Sequence, residues 1–324
     1  MKFTYYSEKI AKKKKVSVDG AVAESLHVTH WPGNKTPTAF KADTSTEIAL
    51  NMISSREGED LLKGYDLVTN NHWDTDGLLS AWTLVQPQAA YDHRDRLVMA
   101  AHAGDFNWFT STEAVQFKIL MEQAFPDPAR SPIKNLLAGK DETEKGQVLY
   151  DQAFKLLPAA LLDPSPYRPL WEKEFGMILE SLERLDDGQA SLTHDDQAQL
   201  SIFQSTQALH PMAMESRTHY DRVLAAVADN DKGGTFYNLF FTDFSWFDKV
   251  SPNRGERVEM DGLGDELQKK ESGGEGRWVF QAPPGDLGSA LRFEKNGQPA
   301  PSLLTVEEVV GTARRFLRLH SSSV

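Results

Sequence analysis

The sequence predicts an α/β protein: a mostly parallel sheet flanked by helices, then a helical middle region, then a smaller C-terminal α+β portion. Three observations carry this. In the first hundred or so residues, short strand-like runs alternate with helix-like runs, the order that builds a parallel sheet with helices on its faces. Residues 114–229 show mostly long helical periodicities, and beyond Asp229 the composition turns aromatic, then Gly-rich, then strand-like. The expected division is therefore 1–113, an α/β core, 114–229, a helical region, and 230–324, a C-terminal α+β portion.

Taken in order, residues 16–18 alternate and stop at Asp19-Gly20, and residues 25–30 read as a second strand that ends at the turn Trp31-Pro32-Gly33-Asn34. Thr44 and Glu47 have capping-box spacing ahead of an apolar helix at 48–53. Gly64 punctuates, 65–69 is a strand, and a polar loop at 70–76 leads through Gly77, which is expected to let the chain turn tightly, into a helix over 78–85. In such sheets ligands bind at the carboxyl ends of strands, and this loop sits at one. Residues 91–103 fit either an amphipathic helix stopped by Gly104-Asp105 or a segment that brings Asp105 to a strand end. Helices are expected over 147–162, 170–185 and 195–209. The aromatic run 236–247 suits a core strand, an interface between lobes or a pocket wall, 262–276 is polar and Gly-rich, 277–280 and 290–293 are strands, and a helix closes the chain at 305–319.

Composition excludes several classes of function. Lys plus Arg number 35 against 47 Asp plus Glu, a net charge of −12 that repels nucleic acid and anionic membranes. No dedicated nucleic-acid binding is expected. With no cysteine, thiolate metal sites, iron–sulfur clusters and cysteine nucleophiles are out, so a metal must use His and carboxylate. The Lys12–Lys15 run has no apolar stretch behind it and no run is long enough to span a membrane, so a cytoplasmic protein is expected. Phosphate-loop and dinucleotide fingerprints are lacking.

The densest constellation is Asn71-His72-Trp73-Asp74-Thr75-Asp76-Gly77. Alternate positions of a short extended loop point the same way, so His72, Asp74 and Asp76 would converge. A carboxylate-rich set with some His suits manganese, magnesium or iron better than a closed structural zinc site. The plainer reading is an acidic turn in which Asp74 or Asp76 caps the next helix.

Residues 72–80, His-Trp-Asp-Thr-Asp-Gly-Leu-Leu-Ser, resemble the first motif of the DHH phosphoesterase superfamily. The resemblance implies two divalent ions, usually manganese, on His and Asp side chains, and hydrolysis of phosphoesters or phosphoanhydrides. It also implies a later lone Asp, for which Asp105 stands, with His102 beside it. The name-giving Asp-His-His is absent, since no two of the nine histidines are adjacent. Its nearest stand-in lies upstream: Asp19, then His27 and His30, then Asp43-Thr44-Ser45-Thr46. His27 and His30, three apart on a strand, would face opposite sides, and His30 at the strand end is favoured. The stretch 283–292 loosely resembles the superfamily's substrate-binding appendage, in which Arg292 would grip an anion.

The expected function is thus a metal-dependent hydrolase of DHH-like type acting on a small anionic substrate. The expected metal ligands are Asp19 (as a bridge), His27 or His30, His72, Asp74, Asp76 and Asp105. His72, Asp74, Asp76 and His102 are the expected catalytic residues, and Asn71 and Arg292 bind substrate. Manganese is the expected metal, with magnesium or iron as alternatives, and a homodimer is left open. Two other classes remain in view: a His/carboxylate metalloenzyme of different chemistry (non-haem iron oxygenase or amide hydrolase), and a non-catalytic binding protein on a decayed hydrolase fold. His93 reads as part of a charged helical turn and His194 as a helix start, both structural; His210, His219 and His320 are unassigned.

Overall fold

The computed structural model describes residues 1–229, 233–272, 275–282 and 288–318, with the backbone of 319–320. It is a mixed α/β protein with one parallel sheet and one mostly antiparallel sheet. The chain divides into two compact units, Met1–Gly176 with Phe247–Pro252, and Met177–Trp246 with Asn253–Val324. Among the described residues no helix is long and apolar enough to cross a membrane.

The first unit is built on strands β1 (Lys2–Phe3), β2 (Lys15–Val18), β3 (Ser25–Val28) and β4 (Leu67–Thr69), in the spatial order β1-β4-β2-β3, all parallel. Val16, Val18, Val28 and Val68 are fully buried, as expected of parallel strands covered on both faces. Its helices are α1 (Ser45–Ile53), α2 (Arg56–Leu62), α3 (Thr75–Val85), α4 (Pro87–Asp92), α5 (Arg94–Asp105), α6 (Thr112–Ile119), α7 (Lys134–Leu137) and α8 (Glu142–Leu162). Helix α3 packs against α1 and α5 and is buried from Thr75 through Leu84, which its apolar sequence allows. The Thr44–Glu47 capping box forms as read from the sequence and starts α1. Helix α9 (Arg168–Asp186) runs from this unit into the next.

The second unit carries strands β5 (Ser191–Asp195), β6 (Leu200–Ser205), β7 (Arg222–Ala228), β8 (Thr235–Phe241), β9 (Arg277–Gln281), β10 (Ala290–Lys295) and β11 (Gln298–Pro299). Their order is β11-β10-β8-β7-β6-β5, with β9 also on β10, and only β6 and β7 run parallel. Helices α10 (Pro211–Glu215), α11 (Asp261–Gln268) and α12 (Val306–His320) complete it. One sheet face, with Ile202, Leu224, Tyr237, Leu239, Leu291 and Phe293, makes the main core with Leu263 and Leu267 of α11 and Val309 and Phe316 of α12.

Several expectations are corrected. The helix expected at 195–209 is the β5–β6 hairpin: Asp195 accepts from the backbone of Gln197 and Ala198 to make the turn, and cross-strand pairing outweighs the helix propensity of Gln and Ala. His194 is therefore a strand residue. Helix dominates 114–186 but not the remainder to 229, and a boundary at 229/230 would cut between β7 and β8, which pair along their length. Helix α11 begins at Asp261 and takes up the first part of the Gly-rich stretch 262–276, and α3 begins at Thr75, so Asp76 and Gly77 lie in its first turn rather than in the preceding loop.

Candidate metal centre at the strand ends

Three parallel strands release their chains side by side, and each delivers a ligand type within a few residues of its end. Asp19 follows β2, His30 follows β3, and His72 and Asp74 follow β4. Asp76 sits in the first turn of α3, and Asp105 in the last turn of α5 rather than at a strand end. Residues 19–24 alone return the chain from β2 to its parallel neighbour β3, a crossover that ordinarily takes about a dozen residues or more. That short path puts Asp19 (φ +43°) and Glu24 (φ +54°) in the left-handed region, which Asp tolerates better than most residues. Asp19 is fully buried there.

Two clusters result, and they share Asp19. One joins Asp19, His30, Asp76 and Asp105; the other joins Asp19, His72 and Asp74; within each, the facing ligand atoms lie within 4.8 Å of one another. In the first, His30 Nε2 is 2.9 Å from Asp105 Oδ2, 3.4 Å from Asp19 Oδ1 and 3.7 Å from Asp76 Oδ2. In the second, His72 Nε2 is 3.0 Å from Asp19 Oδ2 and 2.8 Å from Asp74 Oδ2. Asp19 thus turns one carboxylate oxygen to each cluster. His72 and Asp74 remain 25% and 30% exposed at their side chains, whereas His30 is sealed at 0%.

These residues fit divalent ions. His30 Nε2 and Asp105 Oδ2 are buried, yet neither completes a hydrogen bond, an expensive condition for polar atoms away from water unless something else holds them. Neighbouring donors on one ion, with bonds of about 2.1 Å, stand about 3 Å apart, and the His–carboxylate distances here run from 2.8 to 3.7 Å. His30 Nδ1 faces the carbonyl oxygen of Asp43, and His72 Nδ1 faces the Asn71 amide oxygen at 3.1 Å. A carbonyl only accepts, so each Nδ1 carries the hydrogen and each Nε2 is turned to the carboxylates, the way ligating imidazoles are usually held.

The surroundings fix these side chains. The first backbone amides of α1 grip Asp76, Ser45 N donating to Oδ2 at 2.7 Å and Thr46 N to Oδ1 at 2.9 Å, while Ser45 Oγ donates to Asp19 Oδ1 at 2.9 Å. Asp74 caps α3 by accepting from Gly77 N with Oδ1, which leaves Oδ2 for His72; the capping and ligand readings of that residue are compatible. Tyr150 accepts from Asn70 Nδ2 and donates to the carbonyl of His72, and a wide turn at Leu120–Ala124 lets Glu122 accept from Thr75. From far along the chain, Phe247 stacks on the His30 ring with centroids 4.0 Å apart, and Asp248 N donates to the His30 carbonyl. Phe247→Leu is expected to weaken manganese binding about tenfold in calorimetry, with Phe247→Tyr close to wild type, because it loosens a ligand's support and not the ligand.

Burial raises the pKa of Asp74 to about 6 and of Asp76 to about 7, helped in both by the charge of Asp19, and raises Asp105 well above the carboxylate range, helped by Asp76. Burial also opposes ionisation of Asp19, but the facing His30 and His72 imidazoles win and hold it below that range. For His30 and His72 burial disfavours the charged form, and the facing carboxylates outweigh it, raising both well above the ordinary value. Groups whose folded pKa is raised give stability that is present at low pH and lost as pH rises through the folded value. The metal-free protein is therefore expected to melt a few degrees lower at pH 8 than at pH 6, and manganese to raise the midpoint more at pH 8, because ions compete with fewer protons there. Scanning calorimetry with and without metal reads both.

The other expected site residues are not members of these clusters. His102 Nε2 faces Glu47 Oε2 at 3.2 Å and belongs to neither. His27 is half-buried and accepts from Lys35 N, so of the two candidate histidines His30 is the one in the cluster. Asn71 orients His72. Arg292 is a residue of β10 in the second unit, donating to Asn238; residues 283–287, the rest of the stretch expected to grip substrate, lie outside the described residues. Gly77 is explained by space and not by a tight turn: a Cβ there would lie 2.2 Å from Asn70 Nδ2. Sequence reading missed Phe247 and Tyr150 as supports, and no local signal marks either.

Residues 1–323 match a family described as "Family of unknown function (DUF6687)". No curated protein and no solved structure matches the chain.

Proposed function

Because the chain belongs to the DUF6687 family, whose function is unknown, we propose from the site itself that the protein is a metal-dependent hydrolase of small anionic substrates, phosphoesters or phosphoanhydrides, with manganese as its metal. The observation that carries the reading is one buried carboxylate, Asp19, shared between two His/Asp clusters at the ends of parallel strands. Divalent ions held by such clusters polarise a phosphoryl oxygen and lower the pKa of water toward neutrality. His30, Asp76 and Asp105 hold the sealed position, and His72 and Asp74 the one open to solvent, where substrate arrives. A carboxylate-rich donor set with some imidazole and no sulfur suits manganese, magnesium or iron better than a closed structural zinc site. The DHH-like pattern at 72–80 supports phosphoester over amide chemistry.

Incubation of manganese-loaded protein with bis-p-nitrophenyl phosphate, pyrophosphate and a dinucleotide tests the proposal. Release from at least one, lost on Asp76→Asn and on chelation, is expected. No turnover of any, or turnover that survives Asp76→Asn, would contradict it.

A further inference from the structure

The second unit has a cavity lined by none of the candidate metal ligands. Register places Phe203, Ala225, Asn238 and Arg292 in one row across β6, β7, β8 and β10, with Ser205, Val227 and Phe236 in the next. This is the sheet face opposite the main core. Its cover is partial, with Leu209 and Met214, of α10 and the chain before it, packing with Phe203 in a small cluster. Beyond that cover lies a cavity of about 250 Å³, its apolar walls including Phe203, Leu209, Met214, Val227 and Phe236.

Arg292 lines the same cavity. Its Nε donates to Asn238 Oδ1 at 2.7 Å, which fixes the plane of the guanidinium. Among the described residues it makes no ion pair, and Glu294, two positions along the strand, is engaged by Gln281 Nε2 at 2.9 Å. Arg292 is half-buried, and its planar guanidinium matches a carboxylate with two parallel hydrogen bonds. One positive charge beside Glu294 suits a monoanion better than a dianionic phosphate. The volume is at the small end for ligand pockets.

We propose that this cavity binds a small carboxylate with an apolar body, the tail against Phe203, Val227 and Phe236 and the carboxylate on Arg292. The site is independent of the hydrolase reading, and metal removal should leave it unchanged.

Titration of the full chain with octanoate, and with 1-octanol as the uncharged control, tests it by calorimetry and by the methyl resonance of labelled Met214. Octanoate is expected to bind at one site and to shift Met214 while leaving Met52, in α1, unmoved. Arg292→Met should weaken octanoate about tenfold or more without changing octanol. Ala225→Leu, which fills the cavity floor, should abolish both. No octanoate binding by wild type, no Met214 shift, or equal octanoate affinity in Arg292→Met would overturn the proposal; the wild-type resonance decides even if a variant fails to fold.

Discussion

Asp19→Asn is expected to leave the protein folded and to deprive both clusters of their common ligand. Asparagine also tolerates a φ of +43°, and its amide oxygen can still accept from Ser45 Oγ, so circular dichroism of the metal-free variant should match wild type. What it lacks is the charge that offsets His30 and His72 and the second anionic oxygen that turns toward His72. Manganese retained after dialysis should fall to a small fraction of the wild-type content, and turnover of a phosphoester by about a hundredfold or more, since loss of outer supports alone costs 10–100-fold. Wild-type metal content in this variant would mean that the two clusters do not work through a shared carboxylate.

Gly77→Ala is expected to destabilise the fold by about 2–3 kcal/mol, as overpacking of a tight site typically does. Helix propensity alone points the other way, since alanine inside a helix is better than glycine by about 1 kcal/mol. The added Cβ would meet Asn70 Nδ2 at 2.2 Å, Asp74 Oδ1 at 2.8 Å and the Tyr150 hydroxyl at 3.0 Å. The Asn70 amide would have to leave Tyr150, and Asp74 would have to move, so metal affinity should fall with stability. Urea unfolding checks the sign: a midpoint unchanged or raised would show that propensity wins and that the close approach is not binding on the sequence.

What was legible in the sequence was what local pattern specifies. Alternation and turn residues give β2, β3 and β4, the capping box gives the start of α1, and His72, Asp74 and Asp76 stand together because they are together in sequence. Alternation accounts for only part of their convergence. An extended loop would turn all three one way, but Asp74 caps a helix and Asp76 lies inside it, so they serve different clusters. Asp105 reaches the site from a helix end because α5 packs on α3, a tertiary fact without a local signature. Phe247 is further still, more than two hundred residues from the His30 it stacks on. The β5–β6 hairpin has no local signature, because Gln, Ala and Leu favour helix when isolated, and only the partner strand β7 makes the extended form better.

The most direct test of the central claim is the metal content and magnetic coupling of the wild-type protein. After loading with manganese and gel filtration, about two ions per chain are expected, as a two-metal site requires. Their electron paramagnetic resonance spectrum should be that of a coupled pair, since Asp19 reaches both clusters. A protein that retains almost no manganese, or holds one isolated ion with an uncoupled six-line spectrum, would contradict the shared-carboxylate site on which the proposed function rests.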